Sequence, residues 1–213
     1  MESPSVLVMC GLPASGKTTA AERIHLHSGG VLVRSCDVYR SLGISLPDWV
    51  KRTEGPTRHL APYLRERDRA YVEMARRLEQ ALTSGAERVI LDAVHGEWAK
   101  RRIVYHMCQT FRRTPILVWC RCDNFETIRG RFQRRQGAEA EPQNEASDLS
   151  VFHHIVGLWE DPVADPQPVP MVIYDTLRDQ LVPMRGATGP VVEFLRSALF
   201  CETKPKNAFS MAG

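Results

Sequence analysis

Short apolar runs alternate with amphipathic stretches along most of the chain. The strand-like apolar runs lie at about 5–10, 31–36, 88–92, 115–120 and 169–174. Segments in which apolar residues recur at helical spacing fill much of the sequence between them. This alternation is typical of a parallel sheet covered by helices on both faces, so the pattern predicts an α/β fold.

The clearest helix precedes the third strand. Apolar residues recur at helical spacing from Tyr71 to Leu82, and Gly85 stands where a C-terminal cap belongs. Further helices are expected at about 97–111, from after Asp123-Asn124 to about 136, at 148–159 and near 190–200. Residues 137–147 contain no apolar residue larger than alanine, which predicts a mobile loop.

The composition is that of an ordinary globular protein. Hydrophobic residues make up 43% and charged residues 25% of the 213 positions, which excludes long disorder, a collagen-like repeat and a coiled coil as descriptions of the whole chain. We expect one domain over residues 1–200 and a flexible tail at 201–213. No apolar stretch approaches the roughly 18 residues of a membrane span, and Glu2 stands where a secretory signal would be basic, so we expect a cytoplasmic protein.

The net charge and the cysteines give weaker evidence about the fold and function than the hydrophobic pattern does. The net charge is only +3, but arginines are frequent and acids few between Lys100 and Arg135, which favours anionic ligands such as phosphates or nucleic acid. The six cysteines lack Cys-x-x-Cys spacing, which favours reduced thiols in the core over a metal or redox site.

The strongest chemical signal follows the first strand. Residues 11–18, Gly-Leu-Pro-Ala-Ser-Gly-Lys-Thr, match the pattern G-x-x-x-x-G-K-[ST], with an apolar strand before them and a helical stretch after them. In such a loop backbone N–H groups surround phosphate oxygens, the lysine neutralises the β- and γ-phosphates, and the threonine hydroxyl binds Mg²⁺. The sequence therefore predicts a nucleoside triphosphate site formed by Gly11, Pro13, Ala14, Ser15, Gly16, Lys17, Thr18 and Thr19.

Two classes of nucleotide-binding protein do not fit. The chain lacks the Asn/Thr-Lys-x-Asp sequence expected of a GTPase, and it is too short for a large motor or transporter ATPase. A kinase requires a carboxylate that orients or deprotonates the acceptor hydroxyl, and positive charge over the transferred phosphoryl group. Candidates for each role are present.

Asp37 is the candidate general base, because it follows the second strand at the sheet edge where α/β proteins bind ligands. The alternative is that Asp37 caps a helix starting at Val38, and both roles can hold together. Arg40, one turn further on, could clamp an acceptor phosphate or pair with Asp37.

Asp92 ends the third apolar run in a short Walker-B-like sequence, Val89-Ile90-Leu91-Asp92. It could hold the water shell of Mg²⁺ or orient Arg40. Capping of the turn at residues 93–97 is an equally plausible role for this carboxylate.

The arginine-rich helix supplies the third element. Arg131 and Arg135 are four residues apart and share a face, with Arg134 flanking them. We expect a lid at about 125–147 that closes over ATP and stabilises charge in the transition state, as arginine fingers do. The alternative is an exposed basic helix face.

These motifs, in this order, resemble the P-loop kinases of the polynucleotide kinase and zeta-toxin type. The resemblance covers roughly residues 5–175 and includes Ser-Cys-Asp-Val-Tyr-Arg at 35–40 and Val-Ile-Leu-Asp-Ala-Val-His at 89–95. It implies a three-layer nucleoside-kinase-like fold with a five-stranded parallel sheet in the nucleoside-kinase strand order and an arginine-rich helical lid. One departure is that Asp92-Ala93-Val94-His95 stands where polynucleotide kinases often have Asp-Thr-Asn.

The resemblance also implies roles for single residues. Lys17 and Thr18 would hold ATP–Mg²⁺, and Asp37 would activate the acceptor hydroxyl. Arg40 would contact an acceptor phosphate, and Asp92 would support that arrangement. Arg131 and Arg135 would act from the lid, and residues around Tyr174-Asp175 would lie near adenine.

The acceptor is the open question at this point, because proteins of this type phosphorylate polynucleotide 5′-ends, aminoacylated transfer RNA, sugars, antibiotics and nucleotide sugars. The 5′-hydroxyl of a nucleic acid is the leading expectation. A small-molecule or zeta-toxin-type kinase is the alternative among enzymes. A nucleotide-gated RNA-binding or interaction protein without catalysis is the alternative from another class.

Overall fold

The computed structural model describes residues 5–44, 61–137 and 149–200, without the side chains of 61–64, 135–137 and 150. The predicted tail at 201–213 and all but the first residue of the predicted loop at 137–147 lie outside these residues. In the described part of the chain, no helix is long and apolar enough to cross a membrane.

Six strands form one sheet. They are β1 (Val6–Cys10), β2 (Val31–Arg34), β3 (Val89–Asp92), β4 (Pro115–Arg121), β5 (Met171–Asp175) and β6 (Gln180–Pro183). The strand order is β2-β3-β1-β4-β5-β6; the first five strands are parallel and β6 is antiparallel to β5. The five parallel strands confirm the predicted fold class, and β6 is an addition at the edge.

Seven helices connect or follow the strands in the described residues. They are α1 (Lys17–Ser28), α2 (Ser35–Ser41), α3 (Ala61–Thr83), α4 (Trp98–Thr110), α5 (Phe125–Gly137), α6 (Leu149–Gly157) and α7 (Gly189–Phe200), with a short 3₁₀ helix at Pro162–Ala164. The boundary between β2 and α2 differs from the prediction. Ser35 and Cys36, expected to end the second strand, already belong to α2.

The core has two halves, one on each face of the sheet. Strand β1 is buried along its whole length, and its side chains alternate between the faces. Val6, Val8 and Cys10 pack in a cluster with residues of α3 and α4, whereas Leu7 and Met9 pack with residues of α1 and α7. This arrangement is the three-layer sandwich that the sequence predicts.

A buried ion pair ties α4 to the segment that leads into β5. The guanidinium of Arg101 is fully buried and contacts both carboxylate oxygens of Asp165, with Nε–Oδ2 at 2.8 Å and Nη2–Oδ1 at 2.5 Å. Its third nitrogen, Nη1, donates to the carbonyl oxygen of His95 at 2.8 Å. All three guanidinium nitrogens of the buried Arg101 therefore have hydrogen-bond acceptors.

Removing one partner of this pair should destabilise the fold strongly. An Asp165→Asn variant would leave the Arg101 charge buried without its counter-charge, and we expect a loss of about 3–5 kcal/mol in the free energy of unfolding, measured by urea denaturation. Asp123→Asn at the exposed pair with Arg121 is the control and should cost less than about 1 kcal/mol. Equal losses in the two variants would contradict this expectation.

Candidate functional site

The loop at residues 11–18, called the phosphate-binding loop below, turns sharply between β1 and α1. Gly11 has φ 146°, and a Cβ atom there would lie 2.3 Å from the carbonyl oxygen of Cys120, so only glycine fits. Gly16 has φ 94° and is the N-cap of α1. The N–H of Gly11 donates to the carbonyl oxygen of Val94 at 3.0 Å, which fixes the start of the loop against the segment after β3.

Several polar groups of the loop are positioned for anionic oxygens. The first N–H groups of α1 have no acceptor within the helix, as at any helix N-terminus. Lys17 is only 7% exposed, and its Nζ donates to the carbonyl oxygen of Leu12 at 2.7 Å, so the ammonium group lies across the loop. Ser15 Oγ is buried and has no hydrogen-bond partner among the described residues. This donor set suits the phosphates of a nucleotide.

Asp92 lies beside the same loop. It ends β3, its register partner on β1 is Met9, and it is 4% exposed. Burial raises the pKa of Asp92, while the Lys17 charge and a hydrogen bond from the Thr18 hydroxyl oppose that rise. This position puts the carboxylate beside the Thr18 hydroxyl, and hydroxyl and carboxylate oxygens are the ligands that Mg²⁺ prefers.

The protein alone does not form a metal cage in the described part of the chain. No group of three or more histidine, cysteine, aspartate or glutamate side chains is close enough together there to bind an ion. Thr18 and Asp92 are thus suited to Mg²⁺ that arrives with a nucleotide and keeps phosphate and water ligands, which is the usual way this ion binds.

Asp37 lies in the first turn of α2, directly after β2. The N-cap of α2 is Arg34, so the alternative that Asp37 caps a helix starting at Val38 is wrong. The helix begins two residues before Asp37 because β2 passes into α2 without an intervening loop. The carboxylate is instead held by cations and is 31% exposed, so it can still reach a substrate.

Two arginines hold this carboxylate. Arg34 donates from Nε to Oδ2 at 2.7 Å and from Nη2 to Oδ1 at 3.1 Å, and Arg40 Nη1 donates to Oδ1 at 3.2 Å. Arg34 also contacts Glu22 of α1 at 3.1 Å. Arg40 therefore makes the predicted pairing with Asp37, whereas Arg34 was missed by the sequence analysis. Its signal was a basic residue at a strand end three positions before an acid.

Helix α5 packs on the phosphate-binding loop. Arg131 Nη1 donates to the carbonyl oxygen of Ala14 at 2.9 Å and lies 3.3 Å from Thr176 Oγ1. Arg134, one turn further on, lines the same cavity as Arg131. The side chain of Arg135 lies outside the described part of the structure, as do residues 138–147 of the expected lid. The structure thus brings Arg131 to the loop, with Arg134 beside it.

The cavity next to the loop has a volume of about 440 Å³. Its walls come from four parts of the fold: the loop, the first turns of α1, helix α5 and the segment from β5 to β6. The lining residues are Ala14, Gly16, Thr19, Ala20, Arg23, Arg131, Arg134, Tyr174, Thr176, Leu177 and Asp179. Such a volume lies within the range of small-molecule and cofactor sites, about 300–1,000 Å³.

His95 is buried in the core beside the start of the phosphate-binding loop. It has φ 45°, is 1% exposed and donates from Nδ1 to the carbonyl oxygen of Met9 at 2.8 Å, since a carbonyl can only accept. Its backbone N–H donates to the Tyr71 hydroxyl at 3.2 Å. His95 stands in the segment where the resemblance leads one to expect polar contacts with a ligand, but its ring points into the core.

Burial lowers the pKa of His95 from 6.5 to about 4. The unfolded chain therefore binds a proton between pH 6.5 and 4 that the folded chain does not bind, and the folded state should lose stability as the pH falls through this window. We expect a loss of up to about 3 kcal/mol from this group, measured by denaturant titration at several pH values. His95→Asn, which tolerates the left-handed backbone, should flatten the profile; parallel profiles for the two proteins would contradict the expectation.

Fold and site together define a P-loop NTPase with a kinase-like fold. Residues 6–151 match the family model AAA_33, described as an AAA domain, so the chain belongs to this family. Comparison with curated proteins finds no match.

Solved structures share the fold at low sequence identity. A sugar kinase from Janibacter sp. HTCC2649 is 16% identical with a TM-score of 0.57, covering 92% of each chain. Kti12 from Chaetomium thermophilum, in complex with ADP-AlF3, is 17% identical with a TM-score of 0.57, covering 90% of this chain and 96% of that one. At such identities the likeness establishes the fold alone.

Proposed function

We propose that the protein is an ATP-dependent kinase that transfers the γ-phosphoryl group to an acceptor hydroxyl. The observation that carries this proposal is a juxtaposition at one edge of the sheet. The phosphate-binding loop follows β1, Asp92 ends β3 and Asp37 lies in α2 directly after β2, and these strands are neighbours in the order β2-β3-β1. A nucleotide-binding protein without phosphotransfer has no need of a partly exposed carboxylate held by two arginines beside that loop.

The residues of the loop would hold the nucleotide. Lys17 and the first N–H groups of α1 would bind the phosphates, and Thr18 and Asp92 would hold Mg²⁺. Bound there with ATP, Mg²⁺ neutralises charge on the phosphate oxygens. Arg131 and, from the same helix, Arg134 and Arg135 would add positive charge over the transferred group.

Asp37 would act on the acceptor. Its carboxylate accepts the proton of the acceptor hydroxyl as the hydroxyl oxygen bonds to the γ-phosphorus and the bond from that phosphorus to the bridging oxygen of ADP breaks. Arg34 and Arg40 hold the carboxylate in place by hydrogen bonds. Arg40 is also the proposed contact for a phosphate on the acceptor.

The leading acceptor is the 5′-hydroxyl of a nucleic acid, as in the polynucleotide kinases that the motifs resemble. Arg34 and Arg40 next to Asp37 support it, since phosphates flank such an end. A small polar acceptor is favoured by a different observation. The ion pair of the buried Arg67 with the partly buried Glu97 lines a narrow cleft together with Ser35 and Tyr39, which stand on either side of Asp37 in α2.

Transfer of labelled γ-phosphate from ATP–Mg²⁺ separates these acceptors. The purified protein is incubated with 5′-hydroxyl DNA and RNA oligonucleotides and, in parallel, with a metabolite extract. Label on an oligonucleotide, with apparent affinity falling steeply as salt rises, would support the nucleic-acid acceptor. Label only on a small molecule would support the small polar acceptor, and mass spectrometry would identify that molecule.

A further inference from the structure

Arg34 lies between the proposed base and the helix that follows the phosphate-binding loop. Its Nη1 donates to Oε1 of Glu22 on α1 at 3.1 Å, while Nε and Nη2 hold the two carboxylate oxygens of Asp37. All three guanidinium nitrogens of Arg34 therefore have acceptors. Glu22 is partly exposed and is the only acidic residue of α1, so this contact is the one place where a carboxylate of that helix touches the base site.

The register of the sheet explains why Arg34 faces α1. Arg34 on β2 is the register partner of Asp92 on β3, and Asp92 is the register partner of Met9 on β1. Side chains at the same level of a parallel sheet point to the same face. Met9 packs with residues of α1, so Asp92 and Arg34 lie on the α1 side of the sheet at neighbouring strand ends.

One face of α1 contacts both strand ends. Thr18 and Glu22 are four residues apart and lie one turn from each other on that face. Thr18 donates to Asp92, and Glu22 accepts from Arg34. Burial raises the pKa of Asp92, and the charges of Glu22 and Arg34 also act on it, in opposite directions, as expected of charges that lie close together. The helix that begins at the loop is thus tied to the arginine that holds Asp37.

We propose that Glu22 is a positioning residue for phosphoryl transfer and acts through Arg34 on Asp37; the inference rests on the proposed kinase function. The acceptor hydroxyl has to meet both the Asp37 carboxylate and the γ-phosphorus of a nucleotide whose phosphates are bound at the start of α1. By accepting from Nη1, Glu22 fixes the orientation of the guanidinium that holds Asp37 relative to this helix. A misplacement of about 1 Å can slow a reaction of this kind by about 10²-fold.

The ordinary role of such a pair is a small contribution to stability. Partly exposed ion pairs contribute little to folding, so a purely structural Glu22 would leave the chemistry unchanged. The proposal places the effect of Glu22 in the rate of transfer and not in the stability of the fold or in nucleotide affinity.

A Glu22→Ala variant tests this by single-turnover transfer of labelled γ-phosphate from saturating ATP–Mg²⁺. The acceptor is whichever preparation the wild-type protein labels, the 5′-hydroxyl oligonucleotides or the metabolite extract. The variant should transfer about 10–10²-fold more slowly than the wild-type protein. Its Kd for ATP, measured by calorimetry, and the midpoint of its urea denaturation should stay close to the wild-type values. A wild-type rate in Glu22→Ala would overturn the proposal.

A double variant shows whether the effect passes through the base. In the Asp37→Asn background Glu22→Ala should cause no further loss of rate, because there is no longer a base to position. Equal losses in the two backgrounds would mean that Glu22 acts independently of Asp37, contrary to the proposal. Glu193→Ala, which removes a glutamate from the exposed pair with Arg196 on α7, is the matched control and should transfer at the wild-type rate.

The outcome is separate from that of the kinase proposal. Transfer by the wild-type protein together with a full rate in Glu22→Ala would remove the role of Glu22 and leave the kinase function standing. Absence of transfer by the wild-type protein to either preparation would overturn the role of Glu22 together with the function on which it rests.

Discussion

Phosphoryl transfer by an Asp37→Asn variant should be slower than that of the wild-type protein by about 10²–10⁴-fold, the effect of losing a general base. Asparagine keeps the size of the side chain and an oxygen that Arg34 can bind, but an amide does not accept the hydroxyl proton. The Kd of ATP should stay unchanged, because Asp37 lies on α2 and outside the phosphate-binding loop.

The control for this variant is Asp123→Asn, which makes the same change at an exposed pair with Arg121. Its transfer rate should equal that of the wild-type protein. A rate for Asp37→Asn within a few-fold of wild type would remove Asp37 from the proposed chemistry.

Replacing Lys17 should affect both binding and transfer. Lys17 is the buried cation of the loop, and its ammonium group lies against the carbonyl oxygen of Leu12. Lys17→Ala is expected to lower the transfer rate by about 10²–10³-fold, the usual effect of removing one stabilising donor, and to weaken ATP binding. Steady-state kinetics and calorimetry check the two effects.

The matched variant for Lys17 is Lys100→Ala on α4, which pairs with Asp68 outside the loop. It removes the same charge and should leave ATP affinity unchanged. Equal affinities of the Lys17→Ala and wild-type proteins would contradict the assignment of the phosphates to this loop.

Much of the fold could be predicted because its sheet is buried. A parallel strand covered on both faces must be apolar at nearly every position, as β1 is, and such runs stand out in a sequence. Strand β6 was not predicted, for the opposite reason. It lies at the edge, only Leu181 of its four residues is even partly buried, and its place depends on pairing with β5.

The same contrast applies to the site. The phosphate-binding loop could be predicted because its residues are consecutive and each backbone requirement is local. The predicted end of β2 lay too far along the chain, because the apolar Cys36 was counted with the run at residues 31–33, whereas Ser35 and Cys36 adopt helical backbone. The pairing of Arg34 with Asp37 depends on that turn from strand to helix, so it could not be anticipated from the predicted boundary.

Contacts between residues that are far apart in the sequence could not be predicted from the hydrophobic pattern or from motifs. Arg23 and Tyr174 are 151 positions apart and meet only because α1 and β5 lie on the same side of the cavity. Helical spacing placed Arg131 and Arg135 on one face, but a residue three positions from Arg131 shares that face as well. Which of them reaches the cavity depends on how α5 is rotated, and Arg134 lines it.

The most direct test of the kinase proposal is a single-turnover measurement of the wild-type protein and Asp37→Asn side by side. Each protein is mixed with Mg²⁺, ATP that carries a labelled γ-phosphate, and either the 5′-hydroxyl oligonucleotides or the metabolite extract. The proposal predicts that both proteins bind ATP equally, that the wild-type protein moves the label onto an acceptor hydroxyl, and that the variant does so about 10²–10⁴-fold more slowly. Equal binding of ATP with no label transferred by the wild-type protein to oligonucleotides or metabolites would contradict it, and would favour a nucleotide-gated binding protein instead.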